Sequence, residues 1–327
     1  MTVLITGGSG FVGLNVAAVL LARGDHVVLF DLNGPPANAE RHLRSLPGKL
    51  DIEIGDVRSG EQVSRAMERY RPKRLVHGAA ITASVERERT QSNLIVEVNL
   101  GGTINVLEAA LAHGIGRVVQ FGTGSVYGSL TPAVEFLDEN VPPVPETVYG
   151  ITKYAAERTA LRYRNTRGLD VVVGRLGVTF GRWEYDTGVR DTLSVPLQLL
   201  KVAGAGGKAS FRRNLPDDWV YATDVAEAAA GLLDAPSLPH SLYHIGGGKR
   251  WSVPAWCDQL KKHFPGFGYT VVEDGAEVNV GAVQAGRRPP FSIARLQKDI
   301  GYSPRFDETH AFADYMQWHR DHSGAAR

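Results

Sequence analysis

Tyr149 and Lys153 lie four residues apart in a segment, 148–167, whose pattern predicts a helix. Side chains four residues apart share one face of a helix, so the phenol and the ammonium can point into the same pocket. A free tyrosine has a pKa of about 10. We expect the ammonium to favour the phenolate, so that Tyr149 can exchange a proton with a substrate hydroxyl or ketone near neutral pH.

Thr123 ends a predicted strand, 117–123, and its hydroxyl is of a type that hydrogen-bonds a reacting oxygen. The alternative is a turn residue whose hydroxyl satisfies the local backbone. Beside Tyr149 and Lys153 the catalytic interpretation is favoured, and these three residues are the predicted catalytic group.

A glycine-rich turn near the start of the chain predicts a bound pyrophosphate. Gly7, Gly10 and Gly13 follow a short apolar strand, Val3–Thr6, and a helix begins near Phe11. The unpaired N–H groups of a helix start attract phosphate, and glycine lets the backbone approach it.

Asp31 ends the next predicted strand, His26–Asp31, at the spacing of a dinucleotide-binding motif. Its carboxylate can accept hydrogen bonds from an adenosine ribose and would repel a 2′-phosphate, so NAD is favoured over NADP. Hydride would then pass between a substrate carbon and the nicotinamide, whose positive charge should lower the Tyr149 pKa further.

Strand-like and helical segments alternate through the first half of the chain. This alternation predicts an α/β fold, a Rossmann-type doubly wound parallel sheet, with a smaller mixed α/β C-terminal substrate region. We place the NAD-binding domain at 1–175 and the substrate-binding region at 176–327, with some later segments returning to the first domain. The further predicted strands are Asp51–Asp56, Arg74–Ala80 and Asp170–Gly174, and the predicted helices are 11–23, 60–70, 91–113 and 148–167.

Composition narrows the class of protein. The 327 residues are 43% apolar and 22% charged, with a formal net charge of +1 and no basic block, which disfavours a nucleic-acid partner. Apolar runs look too short to span a membrane, and the first strand leaves no room for a signal peptide, so a cytoplasmic location is expected. The single cysteine, Cys257, and a strand setting for His240 and His244 predict no metal site.

Motifs along nearly the whole chain resemble the extended short-chain dehydrogenase/reductases, specifically the NAD-dependent epimerase/dehydratase family. They are Thr6-Gly7-Gly8-Ser9-Gly10-Phe11-Val12-Gly13, Gly55-Asp56-Val57, His77-Gly78-Ala79-Ala80, Asn99-Leu100-Gly101-Gly102-Thr103, Thr123, Tyr127-Gly128, Tyr149-Gly150-Ile151-Thr152-Lys153, and, more loosely, residues 217–225, 244–248 and Arg287-Arg288-Pro289.

The resemblance implies further cofactor contacts and a homodimer. Asp56 and Val57 would border the adenine, Ala79 and Ala80 would line the nicotinamide half, and Asn99 would sit beneath the nicotinamide ribose. The alternatives are a strand-end turn for Asp56 and a backbone-bonding helix side chain for Asn99. Helices carrying Asn99 and Tyr149 would form a four-helix dimer interface. The full cofactor set is Gly7, Gly10, Phe11, Val12, Gly13, Asp31, Asp56, Val57, Ala79, Ala80, Asn99, Tyr149, Lys153 and Leu176.

The chain departs from the family's nucleotide-sugar enzymes at several positions. The 4,6-dehydratases carry Asp-Glu after the catalytic Ser/Thr, but this chain has Gly124-Ser125, so dehydration of that type is disfavoured. Epimerases carry an asparagine that helps hold the sugar diphosphate at the end of an Arg-Tyr-Phe-Asn pattern, but the corresponding segment here is Arg175-Leu176-Gly177-Val178. Asp217 replaces an arginine and should repel a diphosphate, although Arg212 and Arg213 lie near enough in sequence to compensate.

The predicted substrate contacts are Thr82, Ser125, Arg182 and Trp183. Arg182 would clamp a charge and Trp183 would form an apolar wall; the equal alternative is a surface loop whose tryptophan packs on the C-terminal region.

Two enzymatic readings remain open. The first is an NAD-dependent dehydrogenase acting on a secondary hydroxyl of a sugar, sugar acid or polyol-like substrate. The second is a UDP-sugar epimerase with tightly bound NAD, which uses the same catalytic residues. An intact Tyr149 and Lys153 disfavour a third class, a cofactor-binding regulatory protein without activity.

Overall fold

A seven-stranded parallel sheet forms the centre of the protein in a computed structural model that describes residues 1–129, 134–185, 188, 190–213, 215, 217–273, 275–281 and 288–322. The strands are β1 Thr2–Thr6, β2 His26–Asp31, β3 Lys49–Ile54, β4 Arg74–His77, β5 Arg117–Thr123, β6 Val171–Leu176, β7 Val178–Phe180, β8 Lys208–Arg212, β9 Trp219–Tyr221, β10 Leu242–Ile245 and β11 Gly268–Val272. The order in the large sheet is β10-β6-β5-β4-β1-β2-β3. This architecture confirms the predicted fold class.

Helices cover both faces of the sheet. They are α1 Phe11–Ala22, α2 Ala37–Arg44, α3 Gly60–Tyr70, α4 Val85–Val96, α5 Gly102–Ala112, α6 Val148–Arg167, α7 Val195–Gly204, α8 Ala222–Asp234, α9 Val253–His263, α10 Ala294–Ile300 and α11 Glu308–His322. A five-residue π-helical segment, Glu97–Gly101, joins α4 to α5, so the predicted helix 91–113 begins earlier and is interrupted. The short helix α2 was not predicted.

Alternating burial along β1 explains the two layers of helices. Val3 and Ile5 pack in one apolar cluster with residues of α1 and α8. Leu4 points to the opposite face, into a cluster with residues of α3, α5 and α6. Side chains of a strand alternate between faces, so a strand that is apolar on both faces belongs inside a sheet covered on both sides.

The sheet reverses its winding at β1, which pairs with β2 on one side and β4 on the other. In open α/β sheets, ligands bind at the carboxyl ends of the strands where this reversal occurs. The register brings Thr6 level with His77, and Thr123 level with Leu176. The residues after β1, β4, β5 and β6 therefore meet at one edge.

The C-terminal half builds a smaller body and also extends the sheet. β10 pairs with β6, whereas β7–β9 and β8–β11 form two-stranded parallel sheets. A cluster of buried aromatic side chains that includes Phe180, Trp219 and Trp256 fills this body.

The helical run Val85–Ala112 corrects the expectation that every apolar run is too short for a membrane. By length and composition it is long and apolar enough to cross one, but half of its most apolar window is buried inside the protein. Core helices of water-soluble proteins pass the same test, so the run is weak evidence for a membrane span.

Candidate active site

A cavity of about 540 Å³ opens at the carboxyl ends of β1, β4 and β5. This volume lies in the range of small-molecule and cofactor sites. Most of the residues predicted from the sequence line it. They are Gly7, Gly10, Phe11, Val12, Gly13, Asp31, Asp56, Val57, Ala79, Ala80, Thr82, Thr123, Ser125, Tyr149 and Leu176.

The glycine-rich turn needs glycine for two separate reasons. Gly7 has a φ of +68°, and a Cβ there would lie 2.7 Å from the backbone nitrogen of Ala79. A Cβ on Gly13 would overlap the Gly7 carbonyl oxygen. The strand end, the turn and the helix start are thus packed backbone to backbone, and this packing holds the turn in one shape.

The N-terminus of α1 is left open toward the cavity. Gly10 is its N-cap residue, without a side-chain cap, and its first turn holds no acidic residue. The first N–H groups of the helix are therefore available to an anion. The Arg190 guanidinium lies 4.9 Å from the Phe11 ring, lines the cavity and forms an ion pair with Glu184 at 2.8 Å. Sequence reasoning missed Arg190, which comes from a distant loop.

Asp31 ends β2 at the far side of the turn. Its carboxylate accepts hydrogen bonds from the N–H groups of Ser9, at 3.0 Å, and Leu32, at 2.8 Å. Burial raises the pKa of Asp31, and these hydrogen bonds oppose that effect. The carboxylate is thus held in one orientation at the cavity wall, where its remaining lone pairs can accept hydroxyl donors.

Tyr149 and Thr123 both line the cavity. Thr123 Oγ1 accepts the Ser125 N–H at 3.1 Å. Burial raises the pKa of Tyr149, while the hydroxyls of Thr123 and Thr82 and the charge of Arg190 oppose that rise. The expectation that Lys153 lowers this pKa is wrong for the protein alone, because desolvation outweighs the groups that favour the phenolate.

Lys153 lies one turn after Tyr149 on α6 and is only 3% exposed. Burial lowers the pKa of its ammonium to about 8, and Glu157 opposes that effect. Within the part of the chain that the structure describes, its ammonium donates no hydrogen bond. Lys153 is not among the residues that line the cavity, so it lies behind Tyr149 rather than beside it, and a buried ammonium without an acceptor is costly to the free protein.

A buried ion pair fixes α6 against β6 below the site. Arg175 donates to both carboxylate oxygens of Glu157, at 2.7 and 2.6 Å. Arg175 also donates to the Tyr127 hydroxyl, which in turn bonds His244 Nε2 at 2.7 Å. This network occupies Tyr127, which the sequence analysis did not place in the catalytic group.

Asn99 does not line the cavity. Its Oδ1 accepts the Ile81 N–H at 2.8 Å, and its Nδ2 donates to the Ile81 carbonyl and to Thr152 Oγ1. Asn99 therefore ties the segment after β4 to α6. This geometry matches the backbone-bonding alternative, and the side chain positions the wall of the cavity.

Arg182 and Trp183 lie outside the cavity, contrary to their predicted substrate role. Arg182 Nε donates to Asp314 of α11 at 2.8 Å, and Trp183 is 4% exposed and packs edge-on against Trp318. Their side chains pack the loop on the C-terminal region, so neither is placed to contact a substrate in the cavity.

Two ion pairs replace the expected charge repulsion near the substrate end. Asp217 pairs with Arg250 at 2.6 Å, and Asp218 pairs with Arg288 at 2.8 Å. Arg288 lines the cavity. Sequence reasoning sought compensation from Arg212 and Arg213 and missed Arg250. The preceding Arg287 lies outside the described residues.

Comparison with known proteins gives the same cofactor-binding class. Residues 3–246 match the NAD dependent epimerase/dehydratase family. The chain is 28% identical to dTDP-glucose 4,6-dehydratase of Streptomyces niveus over 98% of this chain and 93% of that protein, and 25% identical to UDP-glucuronate 4-epimerase 1 of Arabidopsis thaliana over 99% and 78%. The crystal structure of Thermus thermophilus UDP-glucose 4-epimerase complexed with NAD has a TM-score of 0.81 at 27% identity, covering 98% of this chain and 100% of that one.

Proposed function

Because the chain belongs to the NAD-dependent epimerase/dehydratase family, we propose that it oxidises a secondary hydroxyl of a sugar, sugar acid or polyol-like substrate with NAD. The observation that carries this proposal is the meeting of Thr123 and Tyr149 in a cavity walled by the glycine-rich turn. Lys153 lies buried one helical turn behind Tyr149.

The residues of this cavity fit NAD. The open N-terminus of α1 would hold the pyrophosphate, and the Asp31 carboxylate would accept the adenosine ribose hydroxyls. The unpartnered Lys153 ammonium would donate to the second ribose. Asp56, Val57, Ala79, Ala80 and Leu176 would line the bases, with Asn99 supporting that wall from behind.

Tyr149 would carry out the proton transfer. Its phenolate would take the proton of the substrate hydroxyl as the C–H bond of the carbinol breaks, leaving a ketone and a neutral phenol. Bound NAD supplies the acceptor for the hydride. Thr123 would hold the substrate oxygen beside the phenol, and the Thr123 and Thr82 hydroxyls together with the charge of Arg190 would favour the phenolate. Thr82 and Ser125 would contact the rest of the substrate.

The residues at the substrate end of the cavity favour net oxidation of a substrate over the dehydration and epimerisation that the named relatives are described as catalysing. Gly124 and Ser125 offer neither an acid nor a base for loss of water. Val178, which lines the cavity, stands where the resemblance places an asparagine that helps nucleotide-sugar epimerases hold the diphosphate. The second candidate is a UDP-sugar epimerase with tightly held NAD, and likeness along the whole chain to the Thermus enzyme favours it.

We also propose that two parts of the chain bind different ligands and that the protein is a homodimer. Residues 1–175 would bind NAD and residues 176–327 would hold the substrate. Exposed apolar side chains on the helical run 85–112 and on α6, among them Val96, Ile104 and Ile151, would form the dimer interface. Light scattering of the wild type and of an Ile104→Glu variant would test this arrangement.

The decisive experiment follows NADH formation by the purified protein. Net NADH from hydroxy acids or polyols supports the dehydrogenase, whereas released NAD without net NADH, together with UDP-sugar interconversion, supports the epimerase. Tyr149→Phe should bind NAD and lose about 10²- to 10⁴-fold in kcat, since only the acid–base hydroxyl is removed. Tyr163→Phe is the matched control, because it removes a hydroxyl from the same helix where it contacts Glu108. A Tyr149→Phe protein as active as this control would refute the assigned role.

A further inference from the structure

Arg288 reaches across the cavity to the residue that follows Thr123. An ideal Cβ placed on Gly124 would overlap Arg288 Nη1 and would lie 2.6 Å from its Cζ. The backbone of Gly124 does not have the positive φ that requires glycine. The absence of a side chain at position 124 is therefore explained by the guanidinium that occupies the space.

The guanidinium is held firmly in this position. Its Nε and Nη2 both donate to Asp218 Oδ2, at 3.0 and 2.8 Å, and its plane lies over the Phe291 ring at 4.6 Å. The Arg288 carbonyl accepts a hydrogen bond from Arg250, which also pairs with Asp217. Both ends of the residue are fixed before any substrate binds.

One side of the guanidinium remains available. Within the described residues, Nη1 has no acceptor, and it faces the same cavity as Thr123, Ser125 and Tyr149. An arginine that is orientated by a buried carboxylate and keeps free N–H donors in a cavity is suited to bind an anion.

We propose that Arg288 is the specificity-determining residue for an acid substrate, and that its Nη1 binds the carboxylate of a hydroxy acid. This inference rests on the proposed oxidation. Because Gly124 directly follows Thr123, the carboxylate would lie only a few bonds from the carbinol that Tyr149 deprotonates. A single carboxylate suits one free guanidinium edge, because its two oxygens can be held by the donors of that edge.

Paired substrates test the proposal. Aldonates and uronates are each compared with the corresponding neutral alditol or aldose, and UDP-glucose is included as the diphosphate. For Arg288→Met, the ratio of kcat/KM for acid over neutral substrate should fall by about 30-fold or more, the loss expected when one partner of a hydrogen-bonded charge pair is removed. Arg65→Met, an exposed arginine away from the cavity, is the matched control.

Arg288→Met leaves the buried Asp218 carboxylate unpaired, which by itself destabilises the protein. A second variant therefore tests the same role without removing either charge. Gly124→Ala keeps both charges and displaces the guanidinium by the collision described above, so it should lower the same ratio. Thermal unfolding of both variants checks that they fold.

Binding of gluconate and glucitol to the NADH-loaded protein, measured by calorimetry, separates the two proposals. If no alcohol yields NADH but gluconate binds more tightly than glucitol in an Arg288-dependent manner, the oxidation fails and the anion site stands. If acid and neutral compounds are bound and turned over alike, or if UDP-glucose is preferred, the role given to Arg288 is overturned.

Discussion

Lys153 should make the protein less stable than an apolar residue in its place. Burial lowers the pKa of its ammonium from the ordinary 10.5 to about 8. At pH 7 this difference opposes folding by about 3 kcal/mol, at 1.36 kcal/mol per pKa unit. A methionine fills a similar volume without a charge, so we expect Lys153→Met to raise the free energy of unfolding by about that amount and to abolish turnover.

The gain in the free energy of unfolding from Lys153→Met should depend on pH in a defined direction. Below a pH of about 8 the folded wild type carries the buried charge in full, and the whole cost is present. As the pH rises toward 10.5, the folded protein releases its proton before the unfolded chain does, and the difference between wild type and variant shrinks toward zero. We would measure this difference in the free energy of unfolding by urea unfolding of the cofactor-free proteins, followed by tryptophan fluorescence at pH values from about 8 to 10.5.

Lys201→Met provides the control, because Lys201 is exposed on α7. Its effect should stay within about 0.5 kcal/mol and should not vary with pH. The reasoning fails if Lys153→Met is no more stable than the wild type at neutral pH, or if its advantage persists unchanged in alkaline solution.

Two further predictions concern the supports of the site. Gly7→Ala should abolish NAD binding in calorimetry and should lower the free energy of unfolding in urea by about 2–4 kcal/mol, because the new Cβ both strains the backbone and collides with it. Gly24 also has a positive φ but has open space around it. Gly24→Ala should therefore show the strain alone and bind NAD normally. Equal effects of the two would contradict the collision. Arg175→Met should cost about 3–5 kcal/mol in the same assay by leaving Glu157 buried and unpaired, and adding Glu157→Gln should recover much of that loss. No recovery in the double variant would show that the charge is not the cause.

The cofactor end could be predicted from the sequence because its signals are local. Gly7, Gly10 and Gly13 lie within one turn, and Asp31 follows at the end of the next strand. The carboxyl-end rule for parallel sheets then brought Thr123 to the same edge without knowledge of any side-chain contact. These predictions depend on the backbone, which periodicity and glycine spacing describe well.

The substrate end could not be predicted in this way, because its contacts join distant segments. Gly124 meets Arg288, and Asp217 meets Arg250, only after the C-terminal body has folded against the sheet. Arg182 and Trp183 had the residue types of a substrate clamp, yet their side chains pair with α11. Residue type alone does not tell which side of a loop faces a cavity.

This division explains why likeness to nucleotide-sugar enzymes constrains the cofactor more than the substrate. The glycines that shape the NAD site are fixed by backbone collisions, so a protein that keeps the fold must keep them. Charges at the other end can change if they change in pairs: Asp217 is neutralised by Arg250, and the guanidinium of Arg288 takes the space that a side chain at Gly124 would need. Each member alone would leave a buried charge unmatched or a collision unrelieved. With both pairs formed, Arg288 Nη1 has no acceptor within the described residues, and this free donor is the physical basis for proposing a smaller acid as the substrate.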